Sequence, residues 1–324
     1  MSEIARVVVL AGGLTVEREV SLRSGRRVCD ALRAVGVDAV VLDADAALLP
    51  YLDAERPDAV FIALHGGPGE DGALRGVLDL IDMPYAGSSA HAARLAFDKP
   101  TAKAVVSSVG VRTPEWLALP HATFRELGAG AVLSRLVARL GLPLMVKPAA
   151  GGSALGASVA RRAEELPAAL VGCFAYGETA LVEQYVTGVE IAVAVVDLGD
   201  GPRALPAVEI EVPGGTYDYA ARYTAGTTQF YTPARLSPEV AAAAADVAVA
   251  AHTALGLTDL SRTDCIIGAE GRVEFLEVNV SPGMTETSLV PMAVTAAGQD
   301  LGVVCRELLQ RAVDRHRGAA RMRG

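Results

Sequence analysis

The chain has 324 residues, 51% hydrophobic and 21% charged, which suits two or three domains with a sizeable core and excludes both a single small module and a disordered chain. Its 38 acidic against 29 basic residues leave a formal charge of −9, so the broad positive field of a nucleic-acid-binding surface is missing. The mean hydropathy of +0.34 comes from alanine, and the longest apolar stretch, 240–257, is broken by Asp246 and His252 as a soluble helix would be and a bilayer span would not. Glu3 and Arg6 precede a short apolar run with no small-residue cleavage site after it, so no export is implied. Cys29, Cys173, Cys265 and Cys305 are too scattered for a zinc pattern or a disulfide framework. The expectation is a cytoplasmic protein with buried free thiols, no membrane and no nucleic-acid partner.

In chain order, 7–10 is a β-branched run ending at Gly12 and Gly13, 17–35 has helical periodicity, 37–42 is strand-like and 59–64 repeats a buried-strand pattern. This alternation predicts βαβ units around a parallel sheet, with loops 11–17 and 65–72 at the strand ends where ligands usually sit. A helical pattern follows Asp98 to Val109, Thr113 and Pro114 break it, and shorter strands are predicted at 144–147, 180–186 and 190–196. A third region begins near Gly188. It holds a strand over 205–212, a polar loop over 213–233, an alanine-rich helix over 238–255, and strands at 263–267 and 273–278. Residues 279–291 are too rich in Gly, Pro, Ser and Thr to be regular and read as a binding loop. The basic stretch 314–324 reads as a solvated helix end or frayed terminus.

Four segments carry chemistry. VVVLAGGLTVE (7–17) has a strand and glycines as a dinucleotide loop does, but Gly12 and Gly13 are adjacent and no third glycine opens the helix, so a nicotinamide-dehydrogenase reading fails on spacing. Glu17 beside the helix start either complements the helix dipole or holds a cationic amine. In KPAAGGSALGA (147–157) small side chains let backbone N–H groups and the Ser153 hydroxyl close on phosphate oxygens, while Lys147 supplies a point charge. The lysine precedes the glycines, so this is no Walker A loop; a plain hairpin is the other reading. Arg262 and Asp264 share one face of a predicted strand, as do Glu277 and Asn279 on the next. Pairing those strands would gather two carboxylates and an amide oxygen, hard ligands of the kind Mg²⁺ takes, or else a salt bridge between Arg262 and one acid. Along LVEQYVTGVE (181–190) an adenine could meet backbone groups near Tyr185 and Val186 beside Glu183, although an edge strand with solvated acids fits as well.

Taken in order, GGLTVEREVSLRSG (12–25), FIALHGGPGEDG (61–72), FDK (97–99), YDYAARY (217–223), RTDCII (262–267) and LEVNVSPGMTETSLVP (276–291) resemble the signatures of the D-alanine:D-alanine ligases of the ATP-grasp superfamily, over nearly the whole chain. The resemblance implies an α/β, three-domain ATP-grasp fold: a Rossmann-like domain over 1–97, a central subdomain over 98–187, and a C-terminal subdomain over 188–324, with ATP between two antiparallel sheets. It implies ATP contacts from Lys99, Lys147, Gly151, Gly152, Ser153, Glu183, Tyr185, Val186, Glu190, Arg222 and Asn279. Asp264, Glu277 and Asn279 match the family's magnesium ligands, for two ions, with Mn²⁺ able to substitute. Glu17 matches the carboxylate holding the first amino acid's ammonium, in a triad with Ser153 and Tyr223. Arg262 and the Gly283 backbone match groups around the oxyanion, Ser288 a contact of the second substrate's carboxylate, and His65 a histidine near the first substrate.

The implied activity is ATP-dependent joining of two D-alanines through an acyl phosphate, for peptidoglycan precursors, by a homodimer. Tyr223 favours an amine over D-lactate as the second substrate. The alternatives are a related ligase using D-serine, D-lactate or another amino acid, and a catalytically silent nucleotide-binding regulator. Three positions depart from the family: Arg222 where lysine is common, Ala154 for a usual serine, and Gln184 where lysine is frequent. The segment 214–232, with Tyr217, Tyr219 and Tyr223, is expected to be a lid.

Overall fold

A computed structural model describes residues 3–212 and 228–323. The first apolar run becomes β1 (Arg6–Ala11), lying between β2 (Asp38–Asp43) and β3 (Ala59–Ile62) in a parallel sheet of order β2-β1-β3. A central parallel strand is covered on both faces, which is why Val7, Val8, Val9 and Leu10 run without a polar interruption. Helix α1 (Arg18–Ala34) buries Ser21, Ser24, Gly25, Val28, Cys29 and Leu32, a stripe at helical spacing. A Cβ at Gly25 would collide with that of Ala11, so glycine sets the distance between helix and sheet. Helices α2 (Leu48–Glu55), α3 (Ala73–Leu80) and α4 (Ala90–Phe97) complete this part.

Asp98 caps α5 (Lys99–Ser108) by accepting from the Thr101 N–H at 2.9 Å, which places Lys99 at the first helical position. Then follow β4 (Trp116–Pro120), α6 (His121–Leu127), α7 (Ala129–Leu140), β5 (Leu144–Pro148), β6 (Ser158–Ala160), α8 (Leu166–Phe174) and β7 (Thr179–Gln184). The strands form an antiparallel sheet, β4-β7-β5-β6, over a core that includes Leu136, Leu144, Val146, Leu166 and Leu170. The strand expected over 180–186 stops at Gln184. Tyr185 and Val186 therefore lie in the link to the next sheet.

The third sheet uses β8 (Val189–Val196), β9 (Arg203–Ala204), β10 (Val208–Glu211), β11 (Gln229–Tyr231), β12 (Leu260–Ile267) and β13 (Val273–Asn279), in the order β11-β10-β8-β12-β13 with β9 beside β8. Here the expected loop over 213–233 is corrected: 229–231 is a strand, drawn into the sheet by pairing of Ile210 with Phe230, a long-range contact that three residues of sequence do not announce. Residues 213–227, with Tyr217, Tyr219, Arg222 and Tyr223, lie outside the described residues. Helices α9 (Pro238–Ala254), α10 (Leu289–Ala296) and α11 (Leu301–Arg323) finish the chain. The expected loop over 279–291 thus ends at Ser288, the residue before α10. No described helix is long and apolar enough to cross a membrane.

The first and third sheets share one apolar core. Val28 and Leu32 of α1 belong to the same buried cluster as Leu308, Leu309 and Val313 of α11 and Val196 of β8.

Candidate functional site

The site grows from the pairing of β12 with β13, in which Arg262 faces Asn279 and Asp264 faces Glu277. The period-two reading is therefore realised, and so is its salt-bridge alternative. Arg262 Nε and Nη2 donate to the two oxygens of Asp264 at 2.7 and 2.8 Å, both side chains nearly buried. Asn279 Oδ1 accepts from the Ser281 N–H at 2.7 Å, and its Nδ2 donates to Glu70 at 3.3 Å. Glu277 lies 3.4 Å from Lys99 Nζ, which also donates to the Gly151 carbonyl at 2.6 Å. The glycine loop is thereby tied to the edge of the carboxylate pair.

Two cavities meet here. One, of about 570 Å³, is lined by Lys99, Lys147, Glu183, Tyr185, Val186 and Glu190, with Asp264 and Glu277 also on its wall. The other, of about 420 Å³, is lined by His65, Ser153, Arg262, Asn279, Gly283 and Ser288. Glu17, Lys99, Gly151, Gly152 and Glu277 belong to both walls. Each volume is in the range of small-molecule sites. Two ligands held side by side would touch at Lys99 and Glu277.

In the glycine loop Ser153 and Ala154 take left-handed backbone angles, φ 53° and 55°, uncommon for residues with a Cβ. That turn aims the Ser153 hydroxyl at Glu17, to which it donates a hydrogen bond. Glu17 packs against bare backbone: a Cβ at Gly66 would lie 2.6 Å from its Oε2. Two members of the expected triad are joined, and the third, Tyr223, lies outside the described residues, as does Arg222.

His65 has both ring nitrogens engaged, Nδ1 with the Ser281 carbonyl at 3.0 Å and Nε2 with Ser24 Oγ at 2.9 Å. A carbonyl only accepts, so Nδ1 carries the proton. Burial pushes the ring's pKa down, against the charge of Glu17, which keeps Nε2 free to accept from Ser24. Ser24 Oγ in turn accepts from the Met284 N–H at 3.1 Å. His65 therefore stitches α1 and the loop after β3 to the 280–288 segment. In that segment Ser288 Oγ receives the Thr285 N–H at 2.9 Å, and a Cβ at Gly283 would come within 2.7 Å of it.

At the far end of the larger cavity, Lys147 Nζ lies 2.6 Å from Glu183 Oε1. Against the effect of burial, Glu183 and Glu277 hold the Lys147 ammonium above its ordinary pKa. Arg161 lies over the Tyr185 ring, 5.8 Å from its centroid. The Gln184 side chain donates to the Leu140 carbonyl at 3.1 Å.

Asp264, Glu277 and Asn279 fit Mg²⁺ by donor chemistry, as oxygen ligands beside a nucleotide-sized cavity. Among the described residues no three His, Cys, Asp or Glu side chains are grouped for a metal. A cation here needs the Asn279 amide and oxygens from the nucleotide as well.

Two site groups were missed in sequence. Glu70, in the 65–72 loop, is buried on the wall of the smaller cavity, and burial, followed by the charge of Glu17, pushes its carboxyl up to about 7. Lys103, one turn along α5 from Lys99, is fully buried beside Glu183. The signal for Glu70 was its place in a loop already assigned to the functional edge. For Lys103 it was the i, i+4 spacing from Lys99.

Comparison with known proteins gives a consistent picture. Residues 105–310 match the family model described as D-ala D-ala ligase C-terminus. A D-alanine–D-alanine ligase of Anaeromyxobacter sp. (strain K) is 41% identical over 304 residues, 94% of this chain and 96% of that protein. Among solved structures, a D-Ala:D-Ser ligase from Enterococcus faecalis superposes with a TM-score of 0.82 at 26% identity, covering 96% of this chain and 100% of the other. A D-alanine–D-alanine ligase from Bacillus anthracis complexed with ATP superposes with a TM-score of 0.80 at 26% identity, covering 98% and 100%.

Proposed function

The chain belongs to the D-alanine–D-alanine ligase family, and from that premise we propose that it joins two D-alanines into D-alanyl-D-alanine with ATP, for peptidoglycan precursors. The observation that carries this reading is the meeting of the two cavities at Lys99 and Glu277. The larger holds ATP, with adenine against Tyr185 and Val186 and phosphates against Lys99, Lys147 and the 151–153 loop. The smaller holds the two amino acids. Glu17, braced by Ser153, takes the first ammonium, and Ser288 faces the second carboxylate.

The first D-alanine carboxylate attacks the γ-phosphate, giving ADP and an acyl phosphate, while the lysines and loop amides offset charge spreading over the phosphoryl oxygens. The second D-alanine then attacks the acyl carbon with its free amine. Arg262 and the Gly283 N–H face the oxyanion, phosphate leaves with the C–O bond electrons, and the proton shed by the amine ends on that phosphate. Mg²⁺, held by Asp264, Glu277 and Asn279, would supply charge neutralisation at the phosphates, with Mn²⁺ able to replace it. No covalent link to the enzyme is needed. We propose the division into domains over 1–97, 98–187 and 188–324, and a cytoplasmic homodimer on the family resemblance.

The test is phosphate release with ATP, Mg²⁺ and a panel of D-amino acids and D-lactate, with mass spectrometry of the product. D-Alanyl-D-alanine as the main product is expected. Dominant formation of a D-serine product or an ester would overturn the second-substrate assignment, and absence of turnover would leave only nucleotide binding.

A further inference from the structure

Lys103 is the most completely buried cation near the site, and it lines neither cavity. Its ammonium has three hydrogens, and three acceptors surround it: Glu183 Oε2 at 2.8 Å, Thr113 Oγ1 at 2.5 Å and the Phe275 carbonyl at 3.4 Å. Thr113 passes the connection on, donating to the same Phe275 carbonyl at 2.8 Å. Lys103 donates to Thr113 and Phe275, pairs by charge with Glu183 and lines neither cavity, so it does not reach a ligand itself.

Its partners explain its position. Glu183 is on β7 of the four-stranded sheet, whereas Phe275 is on β13, two residues before Glu277, in the sheet opposite. The single ammonium therefore spans the two sheets that enclose the larger cavity. The Glu183 carboxylate is divided between two lysines, Oε1 facing Lys147 at 2.6 Å and Oε2 facing Lys103 at 2.8 Å. Glu183 Oε2 has no hydrogen-bond partner among the described residues, so the ion pair with Lys103 is what fixes that oxygen. Apolar side chains in place of the whole Lys103–Glu183 pair would fill this space without desolvating two charges, so stability alone does not call for a buried pair here.

We propose that Lys103 is a positioning residue for the ligation: by clamping Glu183 and the Phe275 strand together it fixes the Lys147 ammonium where ATP phosphate is received. The chain of action is Lys103 to Glu183 to Lys147. Burial works against ionisation of Glu183, yet the two lysines hold its carboxyl below the usual range. That retained charge is in turn a leading reason Lys147 stays protonated although it is largely screened from water. Without Lys103 the carboxylate is free to turn about its side-chain bonds, and Lys147 follows it out of register.

The inference rests on the larger cavity's being the ATP site, and direct binding separates the two claims. Binding of a non-hydrolysable ATP analogue with Mg²⁺ is measured by calorimetry, alongside steady-state kinetics. Wild type that binds no analogue defeats the ATP assignment itself. With wild type binding, Lys103→Met is expected to weaken the analogue and raise KM for ATP on the order of 10- to 100-fold, the span of a lost charge-assisted contact, with KM for D-alanine nearly unchanged. A folded Lys103→Met with wild-type analogue affinity, or with equal losses for ATP and D-alanine, overturns the proposal. Combining it with Glu183→Gln is expected to add little to the loss from Glu183→Gln alone, and fully multiplicative losses would break the chain of action. Thr113→Val loosens the same strut without stranding a charge, and covers the case in which Lys103→Met does not fold. It removes the hydrogen bond from the Lys103 ammonium and the one to the Phe275 carbonyl, is expected to weaken the analogue on the order of threefold to tenfold, and no change overturns the proposal.

Discussion

Arg262 grips Asp264 with two parallel hydrogen bonds, 2.7 and 2.8 Å, from a position two residues away on the same strand. Both carboxylate oxygens are thereby engaged, and they are the oxygens a metal would take. We predict that loading of the proposed cation and release of Arg262 toward the reacting carbonyl are one exchange.

Arg262→Ala should therefore move two quantities in opposite directions. Mn²⁺ binding, followed by electron paramagnetic resonance of the free ion, tightens because Asp264 loses its competitor. Turnover falls by on the order of 10²- to 10³-fold, as for loss of one oxyanion donor. Unchanged Mn²⁺ affinity would remove the exchange.

Glu277→Ala takes away a proposed metal oxygen and the carboxylate 3.4 Å from Lys99. ADP formation in the presence of D-alanine is expected to be abolished across a Mg²⁺ titration. Near wild-type turnover would strike Glu277 from the ligand set.

Ser153→Ala deletes the hydroxyl that donates to Glu17 while keeping a side chain at the same left-handed position. The KM for the first D-alanine should rise about tenfold, the usual loss for a hydrogen bond to a charged group, with the KM for ATP little changed. Equal KM values for D-alanine in the two proteins would count against Glu17 as its ammonium ligand.

Glu70 gives a pH signature. Its carboxyl is raised from 4.5 to about 7, by burial first and by Glu17 second. Between those values the folded protein holds a proton that the unfolded chain releases, so this group's stabilisation is complete below pH 4.5 and is lost as pH rises through 7. The loss amounts to roughly 3 kcal/mol at one pKa unit per 1.36 kcal/mol. Glu70→Gln, which cannot ionise, should gain in melting temperature relative to wild type as pH goes from 5 to 8 without nucleotide. A constant difference across that range would contradict the assignment.

Legibility in the sequence followed the range of the forces involved. The alternation along 262–264 and 277–279 is local, and it placed four side chains correctly because β12 and β13 are neighbours. Small residues over 151–153 announced a loop for the same reason, and the chain turns there between β5 and β6. The engagement of Asn279 by Glu70 spans 209 residues, and the contact of Lys103 with Phe275 spans 172. Nothing near either residue encodes its partner. Strand β11 escaped notice because three residues carry too little periodicity to count, and its pairing with β10 decides its state. The roles read for Tyr223 and Arg222 fall on residues outside the described part of the chain.

The docking of α11 against α1 has a consequence for biosynthesis. Leu308, Leu309 and Val313 share one buried cluster with Val28 and Leu32, so the apolar stripe of α1 stays wet until the much later α11 has been made. Assembly from the leading end inward cannot finish there. The parallel sheet and α1 must wait for that helix to close their core.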